Sequence, residues 1–234
     1  MKLDVAFTPA EMKSPGRRVV VVIDVLRATS TIVEALVNGA RAVVPVADVD
    51  DAVSRAERIG RDSVLLCGER GGEPIPGFHL GNSPLEFTRE RVEGRSLIMT
   101  TTNGTRALLA TGGSSACFIG ALLNARAVAQ RLVERGEDAV LLCAGGAGVF
   151  ALDDAMCAGR IARYVRELGA ELSGNDGLAA ALALSRDAPT ARSLARTEGG
   201  RRLEAIGRHE DIAFCARENR YDVVPVLDEH RIRL

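Results

Sequence analysis

The apolar positions fall in short runs rich in Val, Ile and Leu, with helically spaced polar stretches between them. Runs this short, bounded by turn residues, read as strands buried on both faces. They predict strands at Lys2–Ala6, Val19–Val25, Ala42–Val46, Val64–Cys67, Ser96–Thr100, Cys117–Gly120, Ala139–Cys143 and Val223–Val226. Asp48 can cap a helix to about Arg58, with acids in its first turn, and Asn124 one to about Arg135. Asp153 opens a longer helix to about Leu168, and Asp176 to about Ser185 is rich in Ala and Leu. Strands alternating with helices predict an α/β protein with mostly parallel sheets and flanking helices.

The pattern also repeats. Val64–Cys67 reads VLLC and returns at Val140–Cys143, 76 positions on. The same offset carries Thr29 onto Thr105, Ala40 onto Ala116 and Gly60 onto Gly136, and it lays DVLRATS over TTTNGTR. One reading is chance likeness between two α/β segments. The other is an internal duplication, giving two related α/β halves around a shared cleft. The halves would be residues 1–94 and 95–234, with a loosely placed boundary and the option of acting as one compact unit.

Composition narrows the chemistry. Aromatics make up 3% of the 234 residues and Trp is absent, so the core must be aliphatic. A net charge of −1 gives no reason to expect a nucleic-acid or membrane surface. No apolar stretch approaches the ~20 residues of a membrane span. Five Cys without a CxxC argue against a disulfide framework and fit a reducing cytoplasm. Lys occurs only at positions 2 and 13, which excludes a P-loop lysine. An anion site here must use Arg, backbone N–H groups and hydroxyls.

Four polar segments follow predicted strands, where ligands bind in parallel α/β sheets. They are Asp24–Thr31 (DVLRATST), Gly68–Gly72 (GERGG), Thr100–Arg106 (TTTNGTR), and Gly145–Gly148 (GGAG) leading to Asp153-Asp154. DVLRATST, TTTNGTR and the acids after GGAG each have a structural reading as a cap, turn or helix start, whereas Glu and Arg flanked by Gly in GERGG carry little packing value. Together, the acids Asp24, Glu69 and Asp154 with Arg27, Arg70 and Arg106 suit a divalent cation bridging to a phosphate. Familiar phosphatase arrangements do not fit. Cys67 is too close to Arg70 for a cysteine nucleophile, and Leu26 stands where a haloacid-dehalogenase-type enzyme needs its second acid. His79, His209 and His230 do not pair at metal spacing.

Taken in order, DVLRATST, GERGG, Pro76–Pro84 (PGFHLGNSP), TTNGT, Leu152–Gly159 (LDDAMCAG) and the tail Asp211–Val226 resemble the 2-phosphosulfolactate phosphatase family over nearly the whole chain. The resemblance implies Mg²⁺-dependent hydrolysis of 2-phospho-3-sulfolactate to 3-sulfolactate and phosphate, a step of coenzyme M biosynthesis. His79 and Asp153 depart from the family pattern, which has an acid and a Glu there. On this reading Asp24 and Glu69 are expected to bind Mg²⁺, and Asp154 to bind metal or activate water. Arg27 and Arg70 are expected to clamp the anionic groups, with Thr29, Asn82, Thr102, Asn103, Gly104 and Thr105 binding substrate. The partner is a small anionic phosphate ester, and a homo-oligomer is one way to complete the cleft. Other readings are a phosphatase for another acidic ester, a dinucleotide-dependent oxidoreductase using Gly146–Ala151, and a non-catalytic sensor of an anionic metabolite.

Overall fold

In the computed structural model, residues 1–12, 14–60 and 63–234 are described. Ten strands form one mixed sheet: β1 (Leu3–Ala6), β2 (Val19–Ile23), β3 (Ala42–Pro45), β4 (Val64–Arg70), β5 (Glu73–Pro74), β6 (Ser96–Thr100), β7 (Ala116–Gly120), β8 (Ala139–Cys143), β9 (Val226–Asp228) and β10 (Arg231–Arg233). Their order is β1-β8-β2-β7-β9-β10-β3-β6-β4-β5.

Two parallel blocks, β1-β8-β2-β7 and β3-β6-β4, are joined by the antiparallel hairpin β9–β10. The hairpin also pairs antiparallel with β7 and with β3, so the two blocks run in opposite senses. Each block draws strands from both 1–94 and 95–234. The 76-residue offset places β2 over β6, β3 over β7 and β4 over β8, and the order β8-β2-β7 mirrors β4-β6-β3 about the hairpin.

The helices follow from capping and from which faces the strands must cover. The helix α1 (Ala28–Val37) leaves β2, and α2 (Val49–Ile59) starts where Asp48 accepts the Asp51 N–H at 2.8 Å. After α3 (Arg89–Val92) and α4 (Gly104–Leu109) comes α5 (Ala125–Arg135), 76 positions after α2. Asn124 does not cap it as expected. Its amide instead bonds the Ala121 N–H and the Ile119 and Val223 carbonyls, tying the chain end to the turn after β7. The longest helix is α6 (Leu152–Glu167), followed by α7 (Asp176–Leu184), which Asn175 caps.

Besides α3, three short helices were not foreseen: α8 (Ala191–Ala195), α9 (Glu198–Ala205) and α10 (His209–Cys215). The strand expected at Val223–Val226 lies later, at β9. Residues 221–225 are held instead by Tyr221 N–H to Leu123 and by Ile119 N–H to the carbonyl of Pro225, which has no N–H to extend a ladder.

Strand β2 shows why the core is aliphatic. Val19, Val21 and Ile23 face one apolar layer with α5, α6 and α7, and Val20 and Val22 face the other with α1 and α4. Among the described residues, no helix is long and apolar enough to cross a membrane.

The crossing of α6 on α7 leaves no room for a side chain at Gly159. A Cβ there would sit 2.0 Å from the Ala181 carbonyl oxygen and 2.4 Å from Ser185 Oγ. Gly159→Ala is expected to destabilise by ~2 kcal/mol, the scale of core overpacking. That is roughly 4–8 °C in thermal midpoint for a chain of this size. An unchanged midpoint by calorimetry would refute this packing account.

Candidate active site

The carboxyl ends of β2 and β8 in one block and of β4 and β6 in the other line a single cavity of about 750 Å³, mouth included. Helices α6 and α9 complete its wall. Under the 76-residue offset, Leu26 matches Thr102, Arg27 matches Asn103 and Glu69 matches Gly145, and all six line the cavity.

The opening turn builds itself from hydroxyls. Asp24 N–H donates to Thr29 Oγ1 at 3.0 Å, and that hydroxyl donates back to the Asp24 carbonyl at 2.9 Å. Ser30 Oγ donates to the Val25 carbonyl, and Thr31 Oγ1 to the Asn82 carbonyl. Thr105 closes the matching ring on Thr101. Thr29 and Thr105 are therefore buried clamps that shape the strand ends, and neither lines the cavity. Gly104 lies behind the wall as well. A Cβ at that position would stand 2.7 Å from Asp24 Oδ2 and 2.5 Å from the Ala28 Cβ, so glycine keeps the Asp24 carboxylate in place.

Arg27 lines the cavity although it is only 3% exposed, and the Leu26–Arg27 peptide is cis. Its Nη1 donates to Asp211 Oδ2 at 2.6 Å and its Nη2 to the Gly72 carbonyl at 2.7 Å. Asp211 also accepts Ser83 Oγ at 2.5 Å. Arg70 goes elsewhere. It donates to the Glu69 carbonyl and to Thr100 Oγ1, outside the cavity lining.

Glu69 lines the cavity with its carboxylate engaged by the Thr102 N–H at 2.7 Å, Thr102 Oγ1 at 3.2 Å and the Gly72 N–H at 2.7 Å. It organises two loops at once. Asp154 does the same for the other pair of strand ends, accepting Val25 N–H at 2.8 Å and Gly145 N–H at 3.1 Å. Asn103 Oδ1 accepts the Ala147 N–H at 3.0 Å, clasping the β6 turn to the loop after β8. Asn82 lines the cavity with its Oδ1 buried and unpartnered.

These acids crowd together. Burial pushes the Asp24 carboxyl up to about 7, reinforced by the charges of Asp153 and Glu69 and opposed by the Ala28 N–H and Arg27. Burial likewise lifts Asp153 to about 6 against its helical N–H groups, with Glu198 raising it further and Arg202 lowering it. Asp154 is raised well above the usual carboxylate range, first by burial and then by Asp153 and Asp24.

The model of the 2-phosphosulpholactate phosphatase family matches residues 6–230. This chain belongs to that family. It is 41% identical to a probable 2-phosphosulfolactate phosphatase of Caldanaerobacter subterraneus subsp. tengcongensis, over 92% of this chain and 89% of the relative. It is 42% identical to one of Symbiobacterium thermophilum, over 93% and 94%. For one of Clostridium beijerinckii the identity is 34%, over 99% of both chains.

Within this member of the family, the motif residues divide between wall and scaffold. Asp24, Arg27, Glu69, Asn82, Thr102, Asn103 and Asp154 line the cavity. His79 lies outside it, its Nδ1 accepting the Leu66 N–H at the edge of β4. Gly146–Ala151, weighed above as a dinucleotide loop, closes on itself through Gly146 and Val149 backbone bonds and sets Phe150 against Phe7. The sequence reading missed Glu198, Gly199, Arg202 and Leu203 of α9, which also line the cavity.

The raised carboxyl of Asp24 has a sign that stability can report. Between about pH 4 and 7 the unfolded chain has released a proton that the folded chain keeps. Folding stability from this group therefore falls as pH rises through that window. Asp24→Asn removes the titration. With EDTA present, the midpoint of the variant minus that of the wild type is expected to grow from pH 4.5 to pH 8. A difference that stays flat or shrinks would contradict a strained carboxylate here.

Proposed function

We propose that this chain hydrolyses 2-phospho-3-sulfolactate to 3-sulfolactate and inorganic phosphate with Mg²⁺, the reaction type of coenzyme M biosynthesis. The observation that carries this reading is the charge balance of the cavity. Five carboxyl groups (Asp24, Glu69, Asp153, Asp154, Glu198) and two guanidinium groups (Arg27, Arg202) line it. Arg27 is already paired with Asp211. A substrate with phosphate, carboxylate and sulfonate groups gains little in such a cavity unless a cation enters with it.

The residues fit a Mg²⁺ ion of the substrate-bridging kind. Among the described residues, no three His, Cys, Asp or Glu side chains gather as a metal cage. Mg²⁺ does not require one, since it keeps several waters and commonly uses one or two carboxylates plus substrate phosphate oxygens. Asp24 and Asp153 would hold it, as each is buried, strained and not consumed by loop building. The unpartnered Asn82 Oδ1 adds a neutral acceptor on the same wall. Glu69, offered above as a ligand, has its carboxylate spent on three donors and acts here through the loops it holds. When bound, Mg²⁺ neutralises phosphoryl charge and makes a water more acidic.

The chain's own groups do the rest. Two of the five N–H donors of Arg27 are taken by Asp211 and Gly72. The remaining edge meets phosphoryl oxygens as charge develops, and the bonds already made fix its orientation in advance. Thr102 and Asn103 border the same space. All five cysteines are buried and free, which supports a reducing cytoplasmic setting.

Phosphate release from 2-phospho-3-sulfolactate, phospholactate and phosphoglycerate, with Mg²⁺ and with EDTA, tests this. Mg²⁺-dependent turnover favouring the sulfonated ester is expected. Turnover of the other esters alone would discard the substrate, and full activity in EDTA would discard the metal. Asp24→Asn and Arg27→Ala should each lower kcat by on the order of 10²–10³, the cost of losing a preorganised charge-stabilising group. Arg70→Ala, outside the wall, should cost less than about tenfold, since it removes no such group.

A further inference from the structure

Helix α9 roofs the cavity. At its start, a Cβ on Gly199 would lie 3.0 Å from Asp153 Oδ2, so the backbone rests directly on that acid. Just past its end, Ile206 Cδ1 would lie 3.0 Å from a Cβ on Gly72, whose carbonyl accepts from Arg27. Between these contacts, Arg202 stands one turn after Glu198, and both line the cavity.

The two cavity arginines differ in how they are held. Arg27 is buried against an equally buried partner, Asp211, which fixes its place and leaves only its remaining N–H groups to a ligand. Arg202 has a side chain 46% exposed, and its partner is Glu198, 72% exposed, at 3.2 Å. An exposed pair of this kind is weak and readily exchanged. A second anion on the substrate can displace Glu198 as the partner of Arg202, whereas it cannot displace Asp211 from Arg27 without stranding a buried carboxylate.

We propose that Arg202 is the specificity-determining residue that binds the substrate's sulfonate, the anionic group remote from the phosphoryl centre, and that Glu198 holds its place until substrate enters. The proposal rests on the phosphatase reading above. It explains why a helix with two adjacent glycines is laid over the cavity: Gly199 gives the close approach to Asp153 that brings position 202 over the opening. Glu198 then acts against anionic ligands, so the two residues have opposite signs of effect on one quantity.

That quantity is the ratio of kcat/KM for 2-phospho-3-sulfolactate to kcat/KM for 2-phospholactate, which lacks the sulfonate. Arg202→Ala should lower the ratio by ~10–100-fold, the scale of a charge-assisted hydrogen bond, acting mainly through KM. Arg202→Lys should recover part of it, and Glu198→Gln should raise it. Any effect of Arg202 on Asp153 touches both esters and cancels in the ratio. Arg201→Ala, on the same helix but outside the cavity, should leave the ratio where it was. Equal losses on both esters in Arg202→Ala, or a fall in the ratio with Glu198→Gln, would overturn the assignment and leave the phosphatase reading standing. A folded wild-type enzyme that hydrolyses neither ester with Mg²⁺ would overturn both.

Discussion

A single buried guanidinium organises the site. Arg27 is almost wholly removed from water, and a charge in that position must be matched locally. Asp211 supplies the counter-charge from 184 residues away, and the Gly72 carbonyl takes a second N–H. Asp211 in turn holds Ser83. The turn after β2, the loop after β4, the segment before α3 and the C-terminal helix α10 are thus fixed relative to one another by one charge. Helix α9 leads into α10, so its place over the cavity follows from the same contact. Removing Asp211 would leave a buried cation without its partner, a more costly state than never having buried it.

The carboxylates work in the opposite sense. Asp153 raises the proton affinity of Asp24 and of Asp154, and Asp24 that of Asp154, in a space where burial already penalises ionisation. The fold offsets this with backbone N–H groups: Ala28 on Asp24, and Val25 and Gly145 on Asp154. Those bonds keep the acids oriented without neutralising them. Such an arrangement lowers stability when the cavity is empty and is relieved by a cation, which is the trade expected of a site shaped for binding.

Much of this was legible in the chain because strand ends announce themselves. Four Val and an Ile running into Asp24 mark a doubly buried strand, and the polar residues after it sit where parallel sheets bind ligands. What residue type could not separate was wall from scaffold. Thr29 and Thr105 look like anion donors, but each spends its hydroxyl closing a ring on the strand before it. Arg70 looks like a second clamp, but β4 continues through it and turns its guanidinium to Thr100. Glu198 and Arg202 escaped notice because an i,i+4 pair on a short Gly-containing helix reads as an ordinary solvated face. What brings that helix to the cavity is tertiary: Gly199 rests on Asp153, Ile206 packs at Gly72, and the Arg27–Asp211 link holds the α10 that follows.

The 76-residue offset shows how a symmetric frame becomes a directional site. The matched loops meet where Ala28 and Gly104, themselves 76 apart, come so close that a Cβ at position 104 would lie 2.5 Å from the Ala28 Cβ. The chemistry laid on those loops is unequal. The first set carries Asp24, Arg27 and Glu69; the matched positions in the second are Thr100, Asn103 and Gly145. Three further acids, Asp153, Asp154 and Glu198, come from α6 and α9, outside the matched loops, so charge reaches the cavity from both halves of the chain and the neutral turn at Thr102 and Asn103 interrupts it. Two equally acidic sides would repel an anionic ester from every direction. A lining that sets Arg27 and this neutral turn among the acids instead leaves positions that do not repel an anion beside positions that favour a cation.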